Sequence, residues 1–245
     1  MTTPEERKAE IAANLDTVRK RIAAACAAAG RDPAEVRLLA VTKTFPAGDV
    51  ALLADLGQTD VGENRDGEAA GKAAEVARLR PGVPVRWSMV GRLQRNKARS
   101  VAGWADEVQS VDSGRLADAL QHAVQLSLDR GKRADVLDVL VQASIDGDPA
   151  RGGCPLADLA ALCDHVAGCP ALRLRGVMAV APLDMPPEQA FEQLATAVAR
   201  LRSDHPEAAR LSAGMSGDLE QAITYGSTCV RVGTAILGGR PLASP

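Results

Sequence analysis

Residues 36–46 read VRLLAVTKTFP. Val36, Leu38, Leu39, Ala40 and Val41 make a short run that is apolar on both faces, as in a strand covered on either side. The run ends on Lys43, beside Thr44 and just before Pro46, which puts an amine at the C-terminal mouth of a buried strand. Taken alone, such a lysine reads as a snorkelling surface amine.

Working outward, seven further runs have the same character: DVGEN (60–64), VRWSMVG (85–91), EVQSVD (107–112), DVLVQASI (138–145), LRGVMAVA (174–181), RLSAGMS (210–216) and CVRVGTAIL (229–237). Amphipathic or Ala-rich helices are expected between them, including 65–79, 113–130, 155–167 and 186–202. Buried strands alternating with helices define an α/β chain with a parallel sheet, and eight such units in about 250 residues fit a closed (β/α)8 TIM barrel. A doubly wound open sheet is the alternative. No linker or low-complexity stretch divides residues 1–245, so one barrel domain is expected, with residues 1–30 as an extra helix packed on its outside or bottom. That helix has a capping box, with Thr3 as N-cap, Pro4 first and Glu6 completing TxxE; Ile11, Leu15, Val18 and Ile22 form one stripe, and Gly30 closes it.

Composition narrows the functions. Formal charge is −2, so no global field recruits nucleic acid or an anionic membrane. No run approaches membrane-spanning length, and the N-terminus lacks the apolar core of a signal peptide. Cys26, Cys154, Cys163, Cys169 and Cys229 are odd in number and contain no CxxC, which favours reduced thiols in a cytoplasmic protein. Aromatics are 2% of residues, so the core must be built from Ala, Val and Leu.

A barrel carries its active site at the C-terminal ends of its strands. Polar residues gather there: Lys43, Glu63 and Asn64, Ser144, Ser212 to Ser216, and Arg231, Gly233 and Thr234. SAGMSGDLEQAI (212–223) is a small-residue turn opening a helix, with Ser216 near its N-cap and Glu220 in its first turns. RVGTAIL repeats the device at Gly233 and Thr234. Small residues let main-chain N–H groups approach an anion, and barrels commonly build phosphate sites after strands seven and eight. Helix capping accounts for one such turn; two on adjacent strands favour a phosphate. A phosphate there and an amine at strand one fit a phosphorylated aldehyde bound as a Schiff base. Pyridoxal 5′-phosphate (PLP) satisfies both ends, and Arg231 is placed to reach its pyridine nitrogen, where an arginine disfavours ring protonation.

These segments carry a resemblance. LLAVTK, VGENR, VGRLQRNK, VQSVDS, LRGVMAV, LSAGMSGDLEQAI and GSTCVRVGTAILGGR together resemble the YggS/PROSC group, the PLP-binding homeostasis proteins, over nearly the whole chain. The resemblance implies a barrel like the N-terminal domain of alanine racemase with PLP on Lys43. It further implies phosphate contacts from Ser216, Gly233 and Thr234, Ser212 and Asn64 lining the pocket, and Arg231 at the ring nitrogen. Such proteins are regarded as binding, buffering or delivering PLP, with no metabolic reaction firmly assigned. Three positions depart from the family pattern: Ser88 replaces a histidine, Ala213 a methionine, and Arg151 stands where a loop lysine is frequent. A role for that histidine, or for passage of PLP through a second lysine, is therefore not carried over. Arg151 stays protonated and cannot form a Schiff base at neutral pH.

In the alanine racemase family the second base is a tyrosine from an additional β-domain. The single tyrosine here, Tyr225, is expected in or near the helix after strand seven, in a packing role. A monomeric PLP carrier is therefore expected, with apo PLP-dependent enzymes as receivers. A weak racemase-like enzyme is the first alternative, and a cofactor-free Schiff-base aldolase using Glu63 the second. Glu63 itself is expected to fix the second loop through backbone hydrogen bonds. RLQRNKAR (92–99) lacks aromatic interleaving and reads as a solvated face or phosphate contact, with Lys97 a fallback anchor. In CDHVAGC (163–169), Cys163 and His165 are two apart on a helix and point in different directions, so no metal is expected. His122 and His205 assemble no triad, and neither a GxGxxG after a strand nor a Walker A sequence is present.

Overall fold

The computed structural model describes residues 3–148 and 151–239. Eight parallel strands carry the architecture: β1 Arg37–Val41, β2 Asp60–Glu63, β3 Arg86–Met89, β4 Glu107–Val111, β5 Leu137–Ser144, β6 Leu172–Ala179, β7 Arg210–Ser212 and β8 Cys229–Val232. β1 pairs with β2 on one side and β8 on the other, and β4 pairs with β5, so the sheet closes on itself. Closure decides against the open doubly wound sheet. A two-residue bridge, Cys154–Pro155, adds to the upper end of β5.

Each strand leads to a helix: α2 Ala47–Asp55, α3 Asp66–Leu79, α4 Ala98–Val101, α5 Gly114–Asp129, α6 Leu159–Ala167, α7 Pro187–Asp204, α8 Leu219–Thr224 and α9 Thr234–Leu237. Ahead of them runs α1, Pro4–Ala28, with the expected capping box: Glu6 N–H donates to Thr3 Oγ1 at 3.2 Å and Thr3 N–H to Glu6 Oε2 at 2.7 Å. Its stripe of Ile11, Leu15, Val18 and Ile22 is buried with Leu219, Ile223, Val230 and Ile236, so α1 lies on the barrel's outside over α8 and α9. Each of those large side chains contributes about 1.5–3 kcal/mol on burial. Some expected strands are shorter than read. Residues 213–216 leave the sheet after Ser212, and 234–237, read as the end of a strand, form α9.

The lumen near the N-terminal ends of the strands is closed by ions rather than by apolar side chains. Glu107, fully buried, accepts from Arg37 at 2.5 Å and Arg210 at 2.9 Å, while Asp138 accepts from Arg86 at 2.8 Å and Arg173 at 2.6 Å. Burial pushes the Glu107 carboxyl up, but the Arg37 charge, the Gln109 amide and Arg86 together hold it below its ordinary value. Ser88, at the position where the family pattern has histidine, donates to Glu107 at 3.1 Å and so belongs to this network.

Candidate functional site

At the opposite end, where the strands finish, the fold brings Lys43, Asn64, Ser216, Arg231, Gly233 and Thr234 around one cleft of about 400 Å³. A larger hollow of about 770 Å³ lies outside the barrel between α6 and α7 and carries none of the candidate residues. We place the site at the smaller cleft because the chemistry is there. Val41, Phe45, Val90 and Val180 give it an apolar wall.

Lys43 is half-buried and stands two residues past the end of β1, after Thr42. The next residue, Thr44, has φ of 69°, the sole positive φ outside glycine among the described residues. For a β-branched side chain this costs of order 1–3 kcal/mol, and it turns the chain sharply away so that Lys43 stays at the rim. Beneath it, Thr42 Oγ1 donates to Glu63 Oε1 at 2.6 Å, and Lys72 Nζ donates to the same oxygen at 2.7 Å and to the Thr42 carbonyl at 2.9 Å. Glu63 thus anchors the end of β1 through side chains, rather than fixing the second loop through backbone bonds as expected. Its other oxygen is buried without a partner among the described residues.

Lys72 was not among the sequence candidates, although a signal existed. It shares the inward face of α3 with Ala69, Ala73 and Val76, so helical periodicity alone turns it toward the barrel.

The other end of the cleft is built from main chain. Asp218 occupies the N-cap position of α8, with Ser216 two residues ahead of it as expected, and its Oδ1 accepts from Met215 N–H at 2.6 Å. That bond shapes the turn so that the N–H groups of Ser216 and Gly217 are left with no acceptor among the described residues, as is that of Thr234. Arg21 of α1 braces the turn from outside, donating to the Ser216 carbonyl at 3.0 Å and to Glu220 at 2.7 Å. Close packing needs glycine at two places. Gly214 has φ of 92°, and a Cβ there would lie 2.6 Å from Ala222 Cβ; at Gly233 it would lie 3.0 Å from the Val41 carbonyl. A Cβ on Gly217 would meet nothing within 4 Å. N–H groups without acceptors on one cleft, with hydroxyls beside them, fit the phosphate of a phosphorylated aldehyde, and the amine on the same cleft fits its carbonyl.

Arg231 stands between these ends. Its Nη1 donates to the Ser212 carbonyl and hydroxyl, both at 2.8 Å, and Nη2 donates to the Ala179 carbonyl at 2.8 Å. Burial pulls its guanidinium below the ordinary arginine value, with Cys229 and Asp218 acting the other way. Ser212, expected to line the pocket, is fully buried one layer below and reaches the cleft only through Arg231. Ser144 is likewise buried, its hydroxyl without a partner among the described residues.

The remaining candidates lie elsewhere. Arg92 and Lys97 line an adjoining hollow of about 560 Å³ that shares Asn64 with the cleft. Cys163 is buried while His165 is exposed and pairs with Asp118 at 2.7 Å, so those two do diverge as their spacing requires. Tyr225 follows α8 and packs against the core. All five cysteines are unpaired and buried, and none of the described helices is long and apolar enough to cross a membrane.

A closed parallel barrel with a lysine at the mouth of its first strand has the architecture of the alanine racemase type. Comparison agrees: residues 11–241 match the family described as alanine racemase, N-terminal domain. The chain is 48% identical over 249 aligned residues to a Mycobacterium tuberculosis protein named pyridoxal phosphate homeostasis protein, covering 98% of this chain and 96% of the relative. An Escherichia coli protein of the same name is 41% identical, covering 94% and 97%. This chain belongs to the pyridoxal phosphate homeostasis protein family. Among solved structures, PipY of Synechococcus elongatus with PLP bound superposes with a TM-score of 0.78 at 32% identity, covering 93% of this chain and 100% of that one. Alanine racemase of Corynebacterium glutamicum shares the fold, with a TM-score of 0.71 at 16% identity over 97% of this chain and 62% of that enzyme.

Proposed function

We propose that this chain binds pyridoxal 5′-phosphate covalently through Lys43 and acts in intracellular PLP homeostasis, buffering the cofactor or delivering it to apo PLP-dependent enzymes. The observation that carries the reading is the pairing, across one cleft, of the Lys43 amine with the orphan N–H groups of Ser216, Gly217 and Thr234. The relatives' shared name and the PLP held by PipY support it. When bound, the cofactor supplies an aldehyde that condenses with a lysine amine, with loss of water, to a Schiff base.

Each residue then has a role that follows from its chemistry. Ser216, Gly217, Gly233 and Thr234 would hold the phosphate, Asn64 and Val180 would lie beside the ring, and Arg231, a donor with no proton acceptor of its own, would serve the ring nitrogen. A carrier rather than a racemase is supported by the position of Tyr225, which packs against the core and does not line the cleft. The buried, unpaired thiols support a reducing cytoplasm, and a monomer suffices for this role.

The test is the visible spectrum of the purified protein before and after borohydride, with peptide mapping of the product. A yellow band that bleaches and leaves a pyridoxyl group on Lys43 is expected. A colourless protein that takes up no added PLP overturns the proposal and favours a cofactor-free Schiff-base enzyme.

A further inference from the structure

Arg231 is the upper end of a hydrogen-bonded file that crosses the barrel lumen. Its Nη1 donates to Ser212 Oγ at 2.8 Å, Ser212 Oγ donates to Gln109 Oε1 at 2.7 Å, and Gln109 Nε2 donates to Glu107 Oε1 at 2.6 Å. The file ends on the Glu107 carboxylate, which Arg37 and Arg210 hold from the N-terminal mouth. Ser212, Gln109 and Glu107 are each fully buried, and Arg231 nearly so.

The direction of this file is fixed by its ends. A guanidinium can only donate and a carboxylate can only accept. Ser212 must therefore accept from Arg231 and spend its own proton on Gln109 Oε1. That contact orients the amide and leaves Nε2 aimed at Glu107. One polarity satisfies every member, and bonds in such a low-dielectric chain reinforce one another.

We propose that Gln109 is a positioning residue for Arg231, setting the orientation and strength of the guanidinium that faces the cleft through Ser212 and under the charge of Glu107. This rests on the reading that the cleft takes PLP with Arg231 at its ring, but the relay itself is a property of the chain. A purely space-filling glutamine would leave Arg231 unaffected when replaced by an apolar side chain of similar bulk. Replacing a relay member leaves Ser212 without its acceptor, its hydroxyl free to turn and to compete with the guanidinium for the carbonyls of Ser212 and Ala179.

The test uses the full chain in two states. In the cofactor-free protein, solvent exchange of the Arg231 guanidinium protons is followed by ¹⁵N NMR. Gln109→Leu is expected to speed it about tenfold, the size of one charge-assisted hydrogen bond, and Gln109→Asn, which keeps the amide, to do so less. With PLP added, Gln109→Leu is expected to shift the visible band and its pH midpoint in the same direction as Arg231→Lys. Added to Arg231→Lys it should change little more, because both act on one contact. Wild-type exchange at Arg231 in both Gln109 variants overturns the relay, and so do additive effects in the double variant. Where Gln109→Leu does not fold, Gln109→Asn and Ser212→Ala supply the same two readouts. Coupled exchange in a wild-type protein that takes up no PLP keeps the relay and overturns the cofactor reading instead.

Discussion

Lys72 Nζ lies 2.7 Å from Glu63 Oε1 and 2.9 Å from the Thr42 carbonyl, so a second, largely buried lysine holds the peptide that leads into Lys43. The two lysines divide the work. One presents an amine at the rim; the other is committed to a carboxylate and a carbonyl beneath it.

Replacing Lys72 by Met leaves Glu63 as a buried charge that keeps only the Thr42 hydroxyl. Loss of one member of a buried pair costs about 3–5 kcal/mol, whereas removing both charges together costs much less. Lys72→Met should therefore lower urea stability by about 3 kcal/mol, and Glu63→Gln added to it should recover much of that loss. No recovery in the double variant would mean that Lys72 acts by packing alone. PLP uptake should weaken in Lys72→Met even where the protein is folded, since the Lys43 peptide loses its anchor.

The phosphate end gives a contrast between two neighbouring glycines. Gly214→Ala places a methyl against Ala222 and Leu219 at a positive φ, forcing α8 away from the turn that presents Ser216 and Gly217. Gly217→Ala adds a methyl where nothing lies within 4 Å. Gly214→Ala should weaken PLP binding more than about tenfold and cost about 1–3 kcal/mol of stability, the usual range for strain and overpacking. Gly217→Ala should keep the wild-type fold, with stability inside about 0.5 kcal/mol. Equal binding by Gly214→Ala and the wild type, measured by fluorescence titration, would remove that turn from the phosphate site.

Lys43→Ala takes away an amine from a half-buried rim position without touching the buried clamp below it. The variant should stay folded and lose the borohydride-reducible adduct completely. Non-covalent PLP uptake should persist at reduced affinity, because the N–H groups of Ser216, Gly217 and Thr234 proposed to hold the phosphate are unchanged. A pyridoxyl group mapped to Lys97, which lines the adjoining hollow, would instead place the anchor there.

How far the sequence speaks for itself follows from strand burial. Parallel strands covered on both faces appear as continuous apolar runs, which is why β1 to β8 stand out in order and their C-terminal polar residues can be collected into one rim. The same continuity hides which side chains point into the lumen. Glu107 and Gln109 alternate along β4, but nothing local distinguishes their face from that of Val108 and Ser110, since all are buried. The relay to Ser212 and Arg231 is set by barrel closure between distant strands, so it is visible only in three dimensions. Thr44 is silent for another reason: a β-branched residue is the last expected at a positive φ. Residues 234–237 misled because Ala, Ile and Leu suit a buried strand as well as a buried helical turn.

Glu107 provides the pH prediction. Its carboxyl is held below its ordinary value of 4.5 against the push of burial by Arg37, Gln109 and Arg86, and Asp138 is held below 3.8 against burial by Arg173 and Arg86. A depressed value in the folded state means that the unfolded chain binds more protons as the pH falls. The stabilisation is therefore fully present above pH 4.5 and lost as the pH drops through the lower folded value. Glu107→Gln leaves Arg37 and Arg210 facing a neutral amide and should cost about 3 kcal/mol at pH 7. That deficit should shrink steadily below pH 4.5, because the unfolded wild-type chain then takes up a proton at Glu107 before the folded one does. Urea unfolding of both proteins across the acid range reads the difference directly. Curves that stay parallel to the acid limit would show that the loss is one of shape rather than charge, and would detach Glu107 from the role of charged terminus to the file that ends at Arg231.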